Sequence, residues 1–172
     1  MKKIKWMGTL LIVSDLQKSK TFYQNILGQE ELTMDTPDMV SFGNHEHAQL
    51  SLSPADLFTN NIDEDRWLKV KMQTAPKTKN FQLYFEVDDL ESVAEKIKAT
   101  AGIELIYDVG ENFSSFPQRG IRFYDFDGHL VEVAESLQVL ARRLLTQGMS
   151  IEEVAQRFGD PVEVIQELLV LE

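Results

Sequence analysis

The sequence predicts an α+β fold: two βαβββ modules paired in a pseudo-symmetric domain with a cleft between its halves, then a three-helix C-terminal extension. Three observations predict it. A strand-helix segment occurs twice, with Asp15 and Asp89, Leu16 and Leu90, and Gly28 and Gly102 each 74 residues apart. Each copy is followed by short apolar runs separated by turn residues, the pattern of further strands. Beyond Ser136 the apolar spacing changes to that of helices.

The first module opens with residues 9–13, a β-rich apolar run that reads as a buried strand. Ser14 or Asp15 caps a helix whose apolar face is Leu16, Phe22 or Tyr23, Ile26 and Leu27, and Gly28 stops it. Residues 30–34 form the next strand. Residues 39–42 and 48–52 flank Gly43-Asn44, which reads as a hairpin turn. Residues 54–79 are a polar connector with a short helix expected over 63–72, long enough to link modules or to cover a site.

The second module repeats the order. Residues 81–87 form a strand, and Asp88 or Asp89 caps a helix with Leu90, Val93, Ala94 and Ile97 on one face, ended by Gly102. Residues 103–107 follow as a strand, and residues 120–124 and 130–134 pair across Asp127-Gly128. The modules therefore span about residues 4–53 and 80–136. In the extension, residues 137–145 form a helix stopped by Gly148. Ser150-Ile151-Glu152-Glu153 is a capping box for a second helix ending at Gly159, and Asp160-Pro161 starts a third. The rhythm is that of a helix-turn-helix, but residues 162–172 carry Glu163, Glu167 and Glu172 and no Lys or Arg. A packing or dimerisation appendage is the better reading, because a DNA-reading helix is basic.

Composition narrows the function. With 172 residues, 43% hydrophobic and 26% charged, the chain suits one soluble domain plus an appendage. Its net charge of −11 argues against nucleic acid and anionic membranes, which are bound through Lys and Arg, and weakly favours cationic ligands. The absence of cysteine excludes disulfides, thiolate metal sites and thiol nucleophiles. Lys2, Lys3 and Lys5 precede an apolar run too short for a signal peptide, and no stretch approaches the roughly 20 apolar residues of a membrane span. A cytoplasmic location is expected.

Two motifs resemble those of the vicinal oxygen chelate superfamily, the glyoxalase/bleomycin resistance/dioxygenase proteins. One is Val13-Ser14-Asp15-Leu16 with Phe22-Tyr23-Gln24-Asn25-Ile26-Leu27-Gly28. The other is Phe123-Tyr124-Asp125-Phe126-Asp127-Gly128-His129-Leu130-Val131-Glu132-Val133, where Phe126 replaces the family's usual proline. The resemblance covers about residues 4–136 and implies a curved, barrel-like mixed sheet around a cleft. In metal-dependent members, the first and last strands of each module carry four ligands for a divalent ion, which polarises substrate oxygens.

Carried onto this chain, the four positions fall on Gly8, on Ser51 (or Gln49 with a two-residue slip), on Gln82 and on Glu132. Glu132 is the best matched: a lone carboxylate on a central strand is costly to bury unpaired, which favours a polar cleft over a plain solvent-facing glutamate. Gln82 is a weak neutral ligand better suited to hydrogen bonding, and Gly8 offers no side chain. His45, His47, Gln49 and Ser51 share a strand face by alternation, so a slipped register would bring His47 beside Glu132. His129 in the Asp-Gly-His turn reads as structural. Trp6, Phe113, Phe116 and Tyr124 are candidates to line the cleft, with residues 113–116 as a loop over it.

Three functions stand against one another. The first is a metal-free small-molecule-binding protein, a homodimer by analogy with bleomycin-resistance proteins. The second is a divalent-metal lyase, isomerase or dioxygenase-like enzyme using Glu132, Gln82 and a further ligand such as His47. The third is a scaffold whose helical tail serves assembly.

Overall fold

A computed structural model of the protein describes residues 6–43, 49–54, 77–110 and 116–170. The chain divides into two compact units, Met1–Thr78 with Phe126–Gly128, and Lys79–Asp125 with His129–Glu172.

The first unit contains β1 (Gly8–Val13), α1 (Leu16–Asn25), β2 (Leu32–Asp35), β3 (Val40–Phe42) and β4 (Gln49–Pro54). Its sheet has the order β1-β4-β3-β2, with β1 parallel to β4 and the other neighbours antiparallel. Asp15 caps α1 by accepting the Lys18 N–H at 3.0 Å. Both aromatics offered for its inner face are buried: Phe22 and Tyr23 meet edge to face, and Tyr23 lies near Phe42. Leu11, Val13, Val40 and Leu52 complete this core.

One expectation for this unit needs correction. β2 starts at Leu32 rather than residue 30, because Gln29 and Glu30 are spent turning the chain, their N–H groups bonding to the Tyr23 and Gly28 carbonyls. β3 and β4 pair antiparallel, as expected of the strands on either side of Gly43-Asn44, with Phe42 opposite Leu50 and Val40 opposite Leu52. This register keeps Val40 and Leu52 on one buried face, and a one-residue slip would turn either outward. Gly43 leaves β3 at φ 102°, while Asn44 lies outside the described residues. So does the helix expected over 63–72.

The second unit repeats the plan with β5 (Gln82–Val87), α2 (Leu90–Ala99), β6 (Glu104–Gly110), β7 (Gly120–Tyr124) and β8 (Leu130–Glu135), ordered β5-β8-β7-β6. Asp89 caps α2 as Asp15 caps α1. β6 runs to Gly110, beyond the predicted residue 107, because backbone pairing with Gly120 continues past the apolar run. Leu83, Leu90, Ala94, Ile97, Ile121, Phe123, Val131 and Val133 are buried.

The extension forms α3 (Leu137–Thr146), α4 (Ile151–Phe158) and α5 (Val162–Val170). Ser136 and Ser150 cap the first two, the second through a full capping box, and Gly159 ends α4 at φ 76°. Leu140, Ala141, Leu144, Val154, Ala155 and Ile165 make a core of their own. None of the described helices is long and apolar enough to cross a membrane.

Candidate functional site

The strand registers place four side chains in one transverse row across the second sheet. Tyr84 of β5 is opposite Glu132 of β8, Glu132 is opposite Arg122 of β7, and Arg122 is opposite Tyr107 of β6. Paired residues share a face. The centre of the row is an ion pair: Arg122 donates to Glu132 Oε2 through Nη2 and, at 3.0 Å, through Nε. Its flanks are half-exposed tyrosine rings, with the Arg122 guanidinium 5.9 Å from the Tyr107 centroid.

Neighbouring positions on the same face extend the cluster. Gln82 donates its side-chain amide to Glu132 Oε2 at 2.8 Å. Tyr124 lies two residues along β7 from Arg122, opposite Leu130. The Tyr84 hydroxyl donates to Glu86 and accepts from Gln118, both at 2.8 Å. Burial, followed by the Glu86 carboxylate, holds the Tyr84 phenol above its ordinary value, so it stays protonated.

Three of the predicted site residues, Gln82, Glu132 and Tyr124, therefore come together on one face. Phe116 does not join them; its ring meets Phe158 of α4 at 5.5 Å, edge to face. His129 is a structural residue, its Nδ1 2.9 Å from the buried Asp125 carboxylate. Trp6 is largely exposed, at 70%. Phe113, His45 and His47 lie outside the described residues.

The first unit carries the equivalent row with different chemistry. Leu10 is opposite Ser51, Ser51 opposite Ser41, and Ser41 opposite Met34. Leu10 and Tyr84 are 74 residues apart, so Ser51 occupies the place of Glu132 and Ser41 that of Arg122. This register decides between the two alignments offered by the sequence: Ser51, not Gln49, is the counterpart of Glu132. The Ser41 and Ser51 hydroxyls share a hydrogen bond of 2.8 Å. Gln49 bonds to Thr33 at 3.2 Å.

Gly8 lies opposite Gln49 with φ 150°, and a Cβ added to it would overlap the Gln49 carbonyl oxygen. No side chain of any kind fits there. A tightly held divalent ion takes three or four His or carboxylate donors. Here Gly8 supplies none, Ser51 is bonded to Ser41, and Glu132 is occupied by Arg122 and Gln82. These residues do not fit a divalent metal, and among the described residues no group of three His, Cys, Asp or Glu could hold one.

Sequence reading missed Arg122, Tyr84 and Tyr107. A signal for Arg122 was present: Arg122 and Glu132 lie five residues either side of Asp127, the centre of the predicted hairpin, which places them opposite each other.

Comparison with known proteins agrees with the fold. The family described as glyoxalase-like domain matches residues 6–138. A crystal structure of a protein of unknown function from Agrobacterium tumefaciens is 26% identical, with TM-score 0.60, covering 80% of this chain and 98% of that one. A glyoxalase-related enzyme from Fulvimarina pelagi is 18% identical, with TM-score 0.59 over 79% of this chain and 89% of its own. A glyoxalase/bleomycin resistance protein/dioxygenase from Nocardioides is 20% identical, with TM-score 0.56 over 80% and 86%. No curated protein matches the chain.

Proposed function

The chain belongs to the glyoxalase-like domain family, and we propose that it works there as a small-molecule-binding protein without a divalent-metal centre. The observation that supports this reading best is the state of Glu132. The one strong donor among the four family positions is neutralised by Arg122 and hydrogen-bonded by Gln82. A carboxylate so engaged would have to give up both partners to coordinate an ion.

The same row suits an organic ligand. Two half-exposed tyrosines flank a compact charged pair, giving rings to stack on and polar groups to fix orientation. A flat ligand bearing a hydrogen-bond donor for Glu132, or an acceptor for Arg122, matches this arrangement. Because the pair is neutral overall, the row does not sharpen the preference for cations suggested by the net charge of −11. The exposed Leu105, Ile106 and Tyr107 on the edge strand β6 support a homodimer as the working form, which light scattering would check.

Calorimetric titration with Ni²⁺, Zn²⁺, Mn²⁺ and Fe²⁺, on the wild type and on Glu132→Gln, tests the reading. None of the ions is expected to bind at micromolar concentration. Micromolar binding that disappears in Glu132→Gln would overturn the proposal and favour the metalloenzyme alternative with Glu132, Gln82 and His47.

A further inference from the structure

The family match ends at residue 138, yet the helices of the extension reach back to Phe116 and Pro117, beside the Gln118 that bonds to Tyr84. Arg143 of α3 lies across the segment that leads into β7. Its Nη2 donates to the Pro117 carbonyl at 2.7 Å and to Glu135 Oε1 at 2.7 Å, and its Nε donates to Glu135 Oε2 at 3.3 Å. Glu135 is fully buried and also accepts the Arg119 N–H at 3.0 Å. Phe116 packs on Phe158, and Arg119 makes a further ion pair with Glu91 of α2. Three of the four residues 116–119 are thus held in place, two of them by the extension itself.

The one side chain of this segment that points to the site face is Gln118. Its amide donates to the Glu135 carbonyl at 2.7 Å and to the Tyr84 hydroxyl at 2.8 Å. A glutamine side chain has three rotatable bonds, and here its two donor bonds depend on where the Pro117–Arg119 backbone stands. Tyr84 in turn sits directly opposite Glu132.

We infer that the C-terminal extension is a positioning element for the ligand face: Arg143 fixes the Pro117–Gln118 backbone, so that Gln118 holds the Tyr84 ring beside the Arg122–Glu132 pair. Gln118 and Tyr84 are thereby specificity-determining residues, and Arg143 acts through them without touching the ligand. This rests on the reading that the row binds small molecules. It differs from a pure assembly role for the tail, which would leave binding by the row unchanged.

The experiment is a double-mutant cycle on the full chain, read by titration with the aromatic anion 8-anilinonaphthalene-1-sulfonate. Arg143→Lys keeps a cation against Glu135 but cannot fork to Pro117 as well. Arg143→Lys and Gln118→Ala should each weaken dye binding about threefold to tenfold, and the double variant no more than either alone. Multiplying effects, or wild-type binding by Arg143→Lys, would overturn the inference. The second readout is the Gln118 side-chain amide resonance in ¹H–¹⁵N spectra, assigned with Gln118→Ala. It should move in Arg143→Lys, and an unmoved resonance overturns the clamp. If Arg143→Lys does not fold, Phe158→Leu, which loosens Phe116, takes its place with the same expected outcomes. A wild type that ignores the dye would remove the small-molecule reading and leave the clamp to be judged by the resonance alone.

Discussion

The two units share one chain path and differ most where their copies of the same row lie. In the first unit the row is Leu10, Ser51, Ser41 and Met34; in the second it is Tyr84, Glu132, Arg122 and Tyr107. Strand order, parallel closing pair and Asp-capped helix are the same in both. Duplicated backbone therefore does not bring duplicated chemistry. What can vary is set by local space: position 8 tolerates no Cβ, whereas its counterpart Gln82 carries a working side chain. The first unit's row is neutral, and the second's holds the charged pair.

The strongest way to break this contrast is to exchange the two positions. Gly8→Gln drives a side chain into the Gln49 carbonyl and should cost about 4 kcal/mol or more, the range in which backbone clashes prevent folding. Gln82→Gly removes one hydrogen bond and adds chain entropy, so about 1–2 kcal/mol is expected in urea unfolding. Gly28→Ala is the control for positive φ without a contact, since nothing lies within 4 Å of an added Cβ at φ 65°. It should cost about 1–2 kcal/mol. Equal losses at positions 8 and 82 would show that the asymmetry is not steric.

A second difference lies at the strand ends. β4 finishes at Pro54, while β8 finishes at the buried Glu135. Burial pushes the Glu135 carboxyl up, but the Arg143 hydrogen bond, the Arg119 backbone N–H and the two guanidinium charges outweigh it and hold it below the ordinary carboxylate value. Its stabilisation is therefore complete above about pH 4.3, the unfolded-chain value, and is lost as pH falls through the lower folded value. Glu135→Gln should cost about 3 kcal/mol near neutrality, because two arginines lose their buried partner. The gap from wild type should narrow on going from about pH 5 to about pH 3 in urea midpoints. A gap independent of pH would mean that Glu135 is not ionised in the folded chain.

Much of this architecture was legible in the sequence because it rests on local rules. Asp caps, the stop glycines Gly148 and Gly159 and the capping box at Ser150 act over a few residues and appear in the fold, whereas α1 ends at Asn25 and α2 at Ala99, short of the Gly28 and Gly102 expected to stop them. Element ends were less legible: β6 continues through Asp108 because partner backbone, not side-chain polarity, decides where pairing stops. The site was half legible. Glu132 and Gln82 were singled out, and they are hydrogen-bonded to each other. Arg122 was not, although the predicted hairpin centred on Asp127 places it opposite Glu132. Phe116 was assigned to the cleft on aromaticity. Its actual neighbour, Phe158, belongs to helices outside the repeat, a contact that no local pattern signals.

The central pairs give the finest test of the comparison. Arg122 and Glu132 form a partly buried ion pair on a sheet face, so an alanine double-mutant cycle should return a coupling of about 2 kcal/mol in urea unfolding. Ser41 and Ser51 form a neutral hydroxyl pair at the same place in the first unit. Each single alanine there removes the same one hydrogen bond at a cost of about 1 kcal/mol, and replacing both costs little more, about 1 kcal/mol in all. The first-unit coupling should then be no more than about 1 kcal/mol, the smaller of the two. Salt separates them further: the ion pair, partly open to solvent, should weaken as ionic strength rises, and the hydroxyl pair should not. A first-unit coupling as large and as salt-sensitive as the second would mean that the two rows do not differ as a neutral and a charged pair should.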